Sequence, residues 1–282
     1  MAEQSAPVSK QGFQSNYESK QPDAQGYVAY TDTENQVWRL LYERQITVLP
    51  EHACQEHIDG VERLQLTADC IPQLPEVNRI LQPLTGWCVS PVKALISAKE
   101  FFTLLANRCF PAATFIRRME ELDYVKEPDI FHELFGHAPL LTQPVYADFM
   151  QSYGQQALAM DKTHWPLLLR LFWFTVEFGL IITAQGLRAY GGGILSSKEE
   201  TIYSVESELP QRILFHPLLA FRTPYRIDML QPVYYVINDY QQLFDCATFD
   251  LVRFMQQAHE LGEFSPLFPV EPNNPNIRIF AC

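Results

Sequence analysis

The chain has 282 residues, enough for one large domain or two small ones around a substantial core. Hydrophobic residues make up 47% and charged ones 19%, the profile of an ordinary globular protein, and a formal net charge of −12 argues against a basic stripe for nucleic acid. The N-terminus lacks the apolar core of a signal peptide, and the longest apolar run, 167–182, is interrupted by Arg170 and Glu177. No membrane contact is therefore expected, and the default location is the cytoplasm. Six cysteines without a C-x-x-C pair read as reduced thiols, mostly buried as small hydrophobes.

Residues 1–24, rich in Gln, Ser, Lys and Pro, read as a flexible tail, and 25–282 as one domain. Val37, Leu40 and Leu41 recur at helical spacing and predict a helix over 33–44. Ile58, Val61 and Leu64 predict another over 53–64. Pro72, Pro75 and Pro83 punctuate short helices and turns. Helical stretches follow at 101–115 (broken by Pro111), 129–135, 145–158 and 167–187. Pro210, Pro217 and Pro224 then divide the chain, 221–236 has β character, and 245–261 returns to helix. The sum is a mainly α fold, a single domain of packed helices with a few short β-strands.

The segment with most chemistry is Glu127-Pro-Asp-Ile-Phe-His132-Glu133-Leu-Phe-Gly136-His137. Five residues of regular α-helix place two side chains about 140° apart, so His132 and His137 would not share a face. A left-handed helix end at Gly136 would let His137 curl back, and Asp129 suits the N-cap. The same spacing separates His52 and His57, but these lie among Glu51 and Glu56 and read as solvated.

Glu177 is the lone acid in Leu171-Phe-Trp-Phe-Thr-Val-Glu177-Phe-Gly-Leu-Ile-Ile. A carboxylate there needs a partner, because an isolated buried charge is expensive. Arg117, Arg118 or Arg170 could supply one. A metal shared with His132 and His137 is the sharper reading. Two imidazoles and a carboxylate form the facial triad of non-haem Fe(II) oxygenases, and they also bind catalytic zinc. The run His132-Glu133-x-x-x-His137 is one residue longer than the H-E-x-x-H zinc motif, which counts against a hydrolase.

Four blocks in order carry a family resemblance: Pro91-Val-Lys-Ala-Leu-Ile, Glu127-Pro-Asp-Ile-Phe-His-Glu-Leu-Phe-Gly-His, Phe172-Trp-Phe-Thr-Val-Glu-Phe-Gly-Leu and Ala189-Tyr-Gly-Gly-Gly-Ile-Leu-Ser-Ser. From about residue 26 to 269 the chain resembles the pterin-dependent aromatic amino acid hydroxylases, in the bacterial form that has the catalytic domain alone. The resemblance implies Fe(II) held by His132, His137 and Glu177, with Glu133 on the cosubstrate side. It implies that Arg117 pairs with the substrate carboxylate, that Trp173 is a wall for the substrate ring, and that Ser196 and Ser197 lie beside the substrate and a ligand histidine. Phe101 matches the ring that stacks on a tetrahydropterin, and Ala94, Leu95 and Ile96 match the backbone stretch along its edge. Ala94 and Ala98 depart from the family's usual Gly and Ser.

Trp173, together with Val236 where tyrosine-specific members carry Asp, points to phenylalanine as substrate and tyrosine as product, with tyrosine or tryptophan hydroxylation as the alternatives. A zinc hydrolase and a non-catalytic iron- or pterin-binding protein are the readings from other classes. Partners are expected to be small molecules only, and monomer and dimer both stay open. The glycine run 191–193 lacks the pattern of a nucleotide fingerprint and reads as a close approach of backbone to the site.

Overall fold

The computed structural model describes residues 17–94, 96–248, 250–271 and 274–278. The expected tail residues 1–16 and the candidate Leu95 lie outside the described residues. Residues 17–20 run against the body rather than away from it. Tyr17 stacks on Phe115, its hydroxyl donates to Glu121, and the Thr114 hydroxyl donates to the Lys20 carbonyl.

Helix α1 (Asp32–Ile46) begins with a reciprocal capping box between Thr31 and Glu34. The chain then forms α2 (Leu49–His52) and α3 (Gln55–Arg63), and α4 (Leu74–Thr85) ends at Gly86 with φ +75°. Strand β1 (Cys88–Val92), helix α5 (Ala98–Ala106) and strand β2 (Cys109–Ala113) form a β-α-β unit whose strands pair in parallel. The helix expected over 101–115 therefore stops at Ala106. The chain turns through Arg108, at φ +54°, and Pro111 is tolerated in a two-stranded ladder because each strand has a free edge.

Helix α6 (Pro144–Ala159) packs against α5. The apolar stretch expected as helix over 167–187 divides in two. Helix α7 (Trp165–Phe172) continues into a π-turn, Trp173–Glu177, and the chain then forms the hairpin β3 (Gly179–Thr183) and β4 (Gly186–Ala189). Gly186, at φ +101°, makes that hairpin possible.

The glycine run opens α8 (Gly192–Leu195), followed by α9 (Lys198–Glu206), β5 (Gln211–Leu214) and α10 (Pro217–Arg222). The β character expected over 221–236 resolves into β6 (Tyr225–Arg226) and the fully buried β7 (Val233–Ile237). The last helical stretch is two helices, α11 (Tyr240–Thr248) and α12 (Leu251–Leu261), the second capped by Asp250. Strand β8 (Ile277–Arg278) pairs with β6. A four-stranded sheet in the order β4-β3-β7-β5 lies among the helices, so the architecture is mainly α with short strands. Among the described residues no helix is long and apolar enough to cross a membrane.

One aromatic-rich core runs through the molecule. Trp38 and Trp87 are fully buried, and each indole N–H finds a carbonyl, of Thr67 and Ala147 respectively. Cys54 and Cys246 are buried as expected, but Cys70 is exposed and Cys88 and Cys109 are only half-buried.

His52 and His57 correct the solvated reading, with exposures of 5% and 0%. His52 ends α2 and bonds the Val48 carbonyl and Glu206, whereas His57 sits on α3 and donates to the Phe135 carbonyl at 2.8 Å. The acids beside them face outward while the histidine faces pack inward.

Candidate active site

The first ligand segment is not an α-helix ending at Gly136. His132–His137 is a π-turn that continues straight into a 3₁₀ turn, Ala138–Thr142, and Gly136 has no positive φ. Wide i→i+5 winding brings a residue beside the one five positions on, which regular α winding does not. The two imidazoles consequently meet with His132 Nε2 and His137 Nε2 3.0 Å apart. Asp129 caps the segment as expected, its carboxylate accepting from the His132 N–H.

Gly136 has a different task. A Cβ there would stand 2.6 Å from the Gly192 carbonyl oxygen, and a Cβ on Gly192 would stand 2.3 Å from the His137 ring. The glycine run is thus a close backbone approach to the histidines, as the sequence suggests.

Glu177 ends the second π-turn, where the Phe178 N–H bonds the Trp173 carbonyl. Its Oε2 lies 3.3 Å from His137 Nε2 and 3.5 Å from His132 Nε2. The candidate arginines are engaged elsewhere: Arg117 pairs with Asp129, and Arg170 with Glu263. Among the described residues, His132, His137 and Glu177 are the one cluster whose ligand atoms all lie within 4.8 Å of one another.

Burial holds His132 down at about 4, and although burial works to raise Glu177, the pull of His137 and His132 keeps its carboxyl below the usual range. Two imidazoles and a carboxylate thus meet at one point, which is the donor set of a divalent metal. His132 Nδ1 lies 2.9 Å from the Ser196 hydroxyl, which in turn can donate to the Gly193 carbonyl. With Nδ1–H as donor, the Nε2 lone pair faces the cluster. These residues fit a metal ion.

A cavity of about 420 Å³ opens beside the cluster and is lined by Arg117, His132, Trp173, Glu177, Ser196 and Ser197 among others. Both oxygens of the fully buried Asp129 hold the Arg117 guanidinium, at 2.8 and 2.9 Å. Burial works to raise this carboxyl, but Arg117 keeps it low. Trp173 packs against Tyr225, stacked at 4.7 Å, and Phe178 at 4.4 Å, and its indole N–H donates to Gln231. Ser197 caps α9 through the Glu200 N–H.

The remaining expected residues lie outside this lining. Val236 is buried in β7 between Leu180 and Leu214, one step along the strand from Tyr234 on the same face. It is not among the residues that line the cavity, contrary to the expectation that it meets the substrate ring. Glu133 follows His132, and burial with the charges of Glu177 and Asp129 pushes its carboxyl well up. Ala94 and Ile96 are half-buried in the loop before α5, and Phe101 packs edge-on against Phe172 at 5.0 Å, next to the second π-turn.

Glu200 was missed in the sequence. It lies in Lys198-Glu-Glu200, which looks like a solvated helix start, yet it is 5% exposed and lines the cavity. It accepts from the Gln231 N–H and the Tyr234 hydroxyl, and burial raises its carboxyl to about 7. Its position four residues after Ser196 was the available signal.

Residues 9–259 match the family model described as biopterin-dependent aromatic amino acid hydroxylase. The chain is 53% identical to a phenylalanine-4-hydroxylase of Pseudomonas aeruginosa over 90% of this chain and 96% of that one. A phenylalanine hydroxylase structure from Legionella pneumophila superposes with a TM-score of 0.87 at 60% identity, covering 89% of this chain and all of that one. A phenylalanine hydroxylase from Chromobacterium violaceum, solved with iron(III) and 7,8-dihydrobiopterin, matches with a TM-score of 0.81 at 40% identity, covering 90% of this chain and 93% of that one.

Proposed function

The chain belongs to the biopterin-dependent aromatic amino acid hydroxylases, and on that premise we propose that its cavity hydroxylates L-phenylalanine to L-tyrosine beside a metal held by His132, His137 and Glu177. The convergence of those three side chains, two of them (His132 and Glu177) in the wall of a cavity that Arg117 and Trp173 also line, carries this reading. The cofactors are Fe(II) and a tetrahydropterin. When bound, they supply the electrons that activate dioxygen.

The protein's own residues bind, orient and exclude water. Asp129 occupies Nε and one Nη2 hydrogen of Arg117 and so fixes the guanidinium plane. The remaining N–H groups receive the substrate carboxylate as a charge-assisted pair. Trp173, held by its contacts with Tyr225 and Phe178 and by its hydrogen bond to Gln231, forms the wall against which the substrate ring lies. Ser196 keeps the proton of His132 on Nδ1. Glu133, whose carboxyl is pushed up by burial and by the charges of Glu177 and Asp129, stands on the cosubstrate side, where Phe101, Ala94 and Ile96 form the rest of that site. Ser197 and Glu200 line the end of the cavity where the polar amino acid backbone lies.

Val236 bears on selectivity from the second layer. Val236 itself offers no hydrogen bond to a phenol hydroxyl, which favours phenylalanine over tyrosine. The domain is proposed to run over 25–282 and to work in the cytoplasm. The test is an aerobic assay of the iron-loaded protein with tetrahydropterin and each aromatic amino acid. Tyrosine formed from phenylalanine, dependent on iron, pterin and oxygen together, is the expected result. Pterin-independent hydrolysis with bound zinc would overturn it.

A further inference from the structure

Cys88 and Cys109 are 21 residues apart in sequence, and no cysteine motif links them. The fold makes them direct partners: they are the first register pair of the parallel β1–β2 ladder. In a parallel ladder, register partners point to the same side, about 4.8 Å from strand to strand. That spacing lies inside the Cα separation of about 4.4–6.8 Å that a disulfide spans. Val89 and Phe110, the next pair, face the core, so the thiols are on the outer face and half-buried. The two side chains are neighbours close enough to influence each other's ionisation, with Ser90 beside Cys109.

We propose that Cys88 and Cys109 are a redox-modification site, a dithiol that hydrogen peroxide converts to a disulfide across β1 and β2. The Cys88 thiolate attacks one peroxide oxygen, the O–O bond breaks, and hydroxide leaves with one proton to become water. The resulting sulfenic acid is attacked by the Cys109 sulfur, an S–S bond forms, and the sulfenic oxygen leaves as a second water. In sum, two thiols and one peroxide give one disulfide and two waters, the sulfurs losing two electrons and the peroxide gaining them.

Three features set this pair apart from the other described cysteines. The neighbouring Cys109 side chain holds the Cys88 thiol down at about 7, against the opposing effect of burial, and the thiolate is the reactive form. Cys54 and Cys246 are buried, which pushes both up to about 12, and Cys70 is exposed without a recorded thiol neighbour. A bond formed at the ladder spacing is strained, because Cβ atoms of a relaxed disulfide approach to about 3.8 Å, so it is reducible rather than structural. The bond would tie together both ends of the segment that carries Ala94, Ile96 and Phe101.

The test is peroxide titration of the reduced, full-length, iron-loaded protein at neutral pH, with a chelated sample in parallel to separate iron-driven oxidation. Alkylation and peptide mapping follow. The expected result in both samples is a Cys88–Cys109 linked peptide, loss of two of the six thiols, and recovery with dithiothreitol. Cys109→Ser should leave a sulfenic acid at Cys88 that dimedone traps, and Cys88→Ser should leave Cys109 alkylatable. Oxidation of Cys70 while Cys88 and Cys109 remain alkylatable would overturn the proposal, as would linkage of Cys88 to any other cysteine.

Discussion

His52 and His57 stand five residues apart, as do His132 and His137, and each pair has a glutamate beside a histidine. The first pair is divided between α2 and α3, and each ring bonds a carbonyl of its own, from Val48 and from Phe135. The second pair lies in one π-turn and meets at 3.0 Å with Glu177 alongside. Residue type and spacing are the same, so the winding of the backbone decides which pair can hold a metal. His52, His57 and His137 are buried and His132 is half-buried, so burial does not pick out the pair that meets.

The largest expected effect breaks the comparison outright. His137→Ala, His132→Ala or Glu177→Ala should reduce iron to background by elemental analysis and abolish tyrosine formation. His52→Ala, with the same residue type removed, should leave iron stoichiometric. Iron retained in two of the three triad variants would move the centre elsewhere.

A second test sharpens the contrast through pH. Burial lowers His57 to about 4 from an unfolded value of 6.5, so the unfolded chain binds its proton more readily. Its contribution is whole above pH 6.5, falls as pH drops through the window from 6.5 to 4, and is gone below. Between pH 7 and 5 that is about 2 kcal/mol of unfolding free energy. His57→Gln keeps an N–H donor for Phe135 and should flatten the profile in urea titrations across that range. An unchanged slope would mean that His57 is not buried in its neutral form.

Effects on the cavity come next. Arg117→Lys keeps the charge but loses the planar fork that Asp129 orients, so the KM for phenylalanine should rise roughly 10–100-fold with iron content normal. An unchanged KM would make the Arg117–Asp129 pair purely structural. Smaller still, Ser196→Ala should weaken iron binding about tenfold by releasing the His132 ring, measured by competition with a chelator. Unaltered affinity would assign the ring's orientation to packing alone.

The triad was legible because its residues are chemically conspicuous. An acid in an apolar run and two histidines near a glycine demand explanation from sequence alone. Their geometry was not legible, since neither π-turn has a side-chain signature, and the turn of His132–His137 is set partly by the contact of Gly136 with a glycine 56 residues later. The 167–187 stretch read as one helix because Leu, Ile and Val suit a buried strand as well as a buried helix. Gly179 and Gly186 were the signals that the period had changed. Glu200 and His57 were hidden for the same reason: charged sequence neighbours suggest solvent, and only the packing of α9 and α3 puts these particular faces inside. The Cys88–Cys109 neighbourhood needed the strand register, which no spacing between the two cysteines encodes.

The π-turns also change how a ligand spacing should be counted. In an α-helix a hydrogen-bonded ring closes over four residues, and side chains at i and i+4 face the same way. In the π-turn the ring closes over five, as the Ala138 N–H to Glu133 carbonyl bond does, so i and i+5 hold the equivalent relation. Measured in closed rings, His132 and His137 are one ring apart, the same as the histidines of an H-E-x-x-H helix. The extra residue in the run adds length to the ring without adding a turn to the helix.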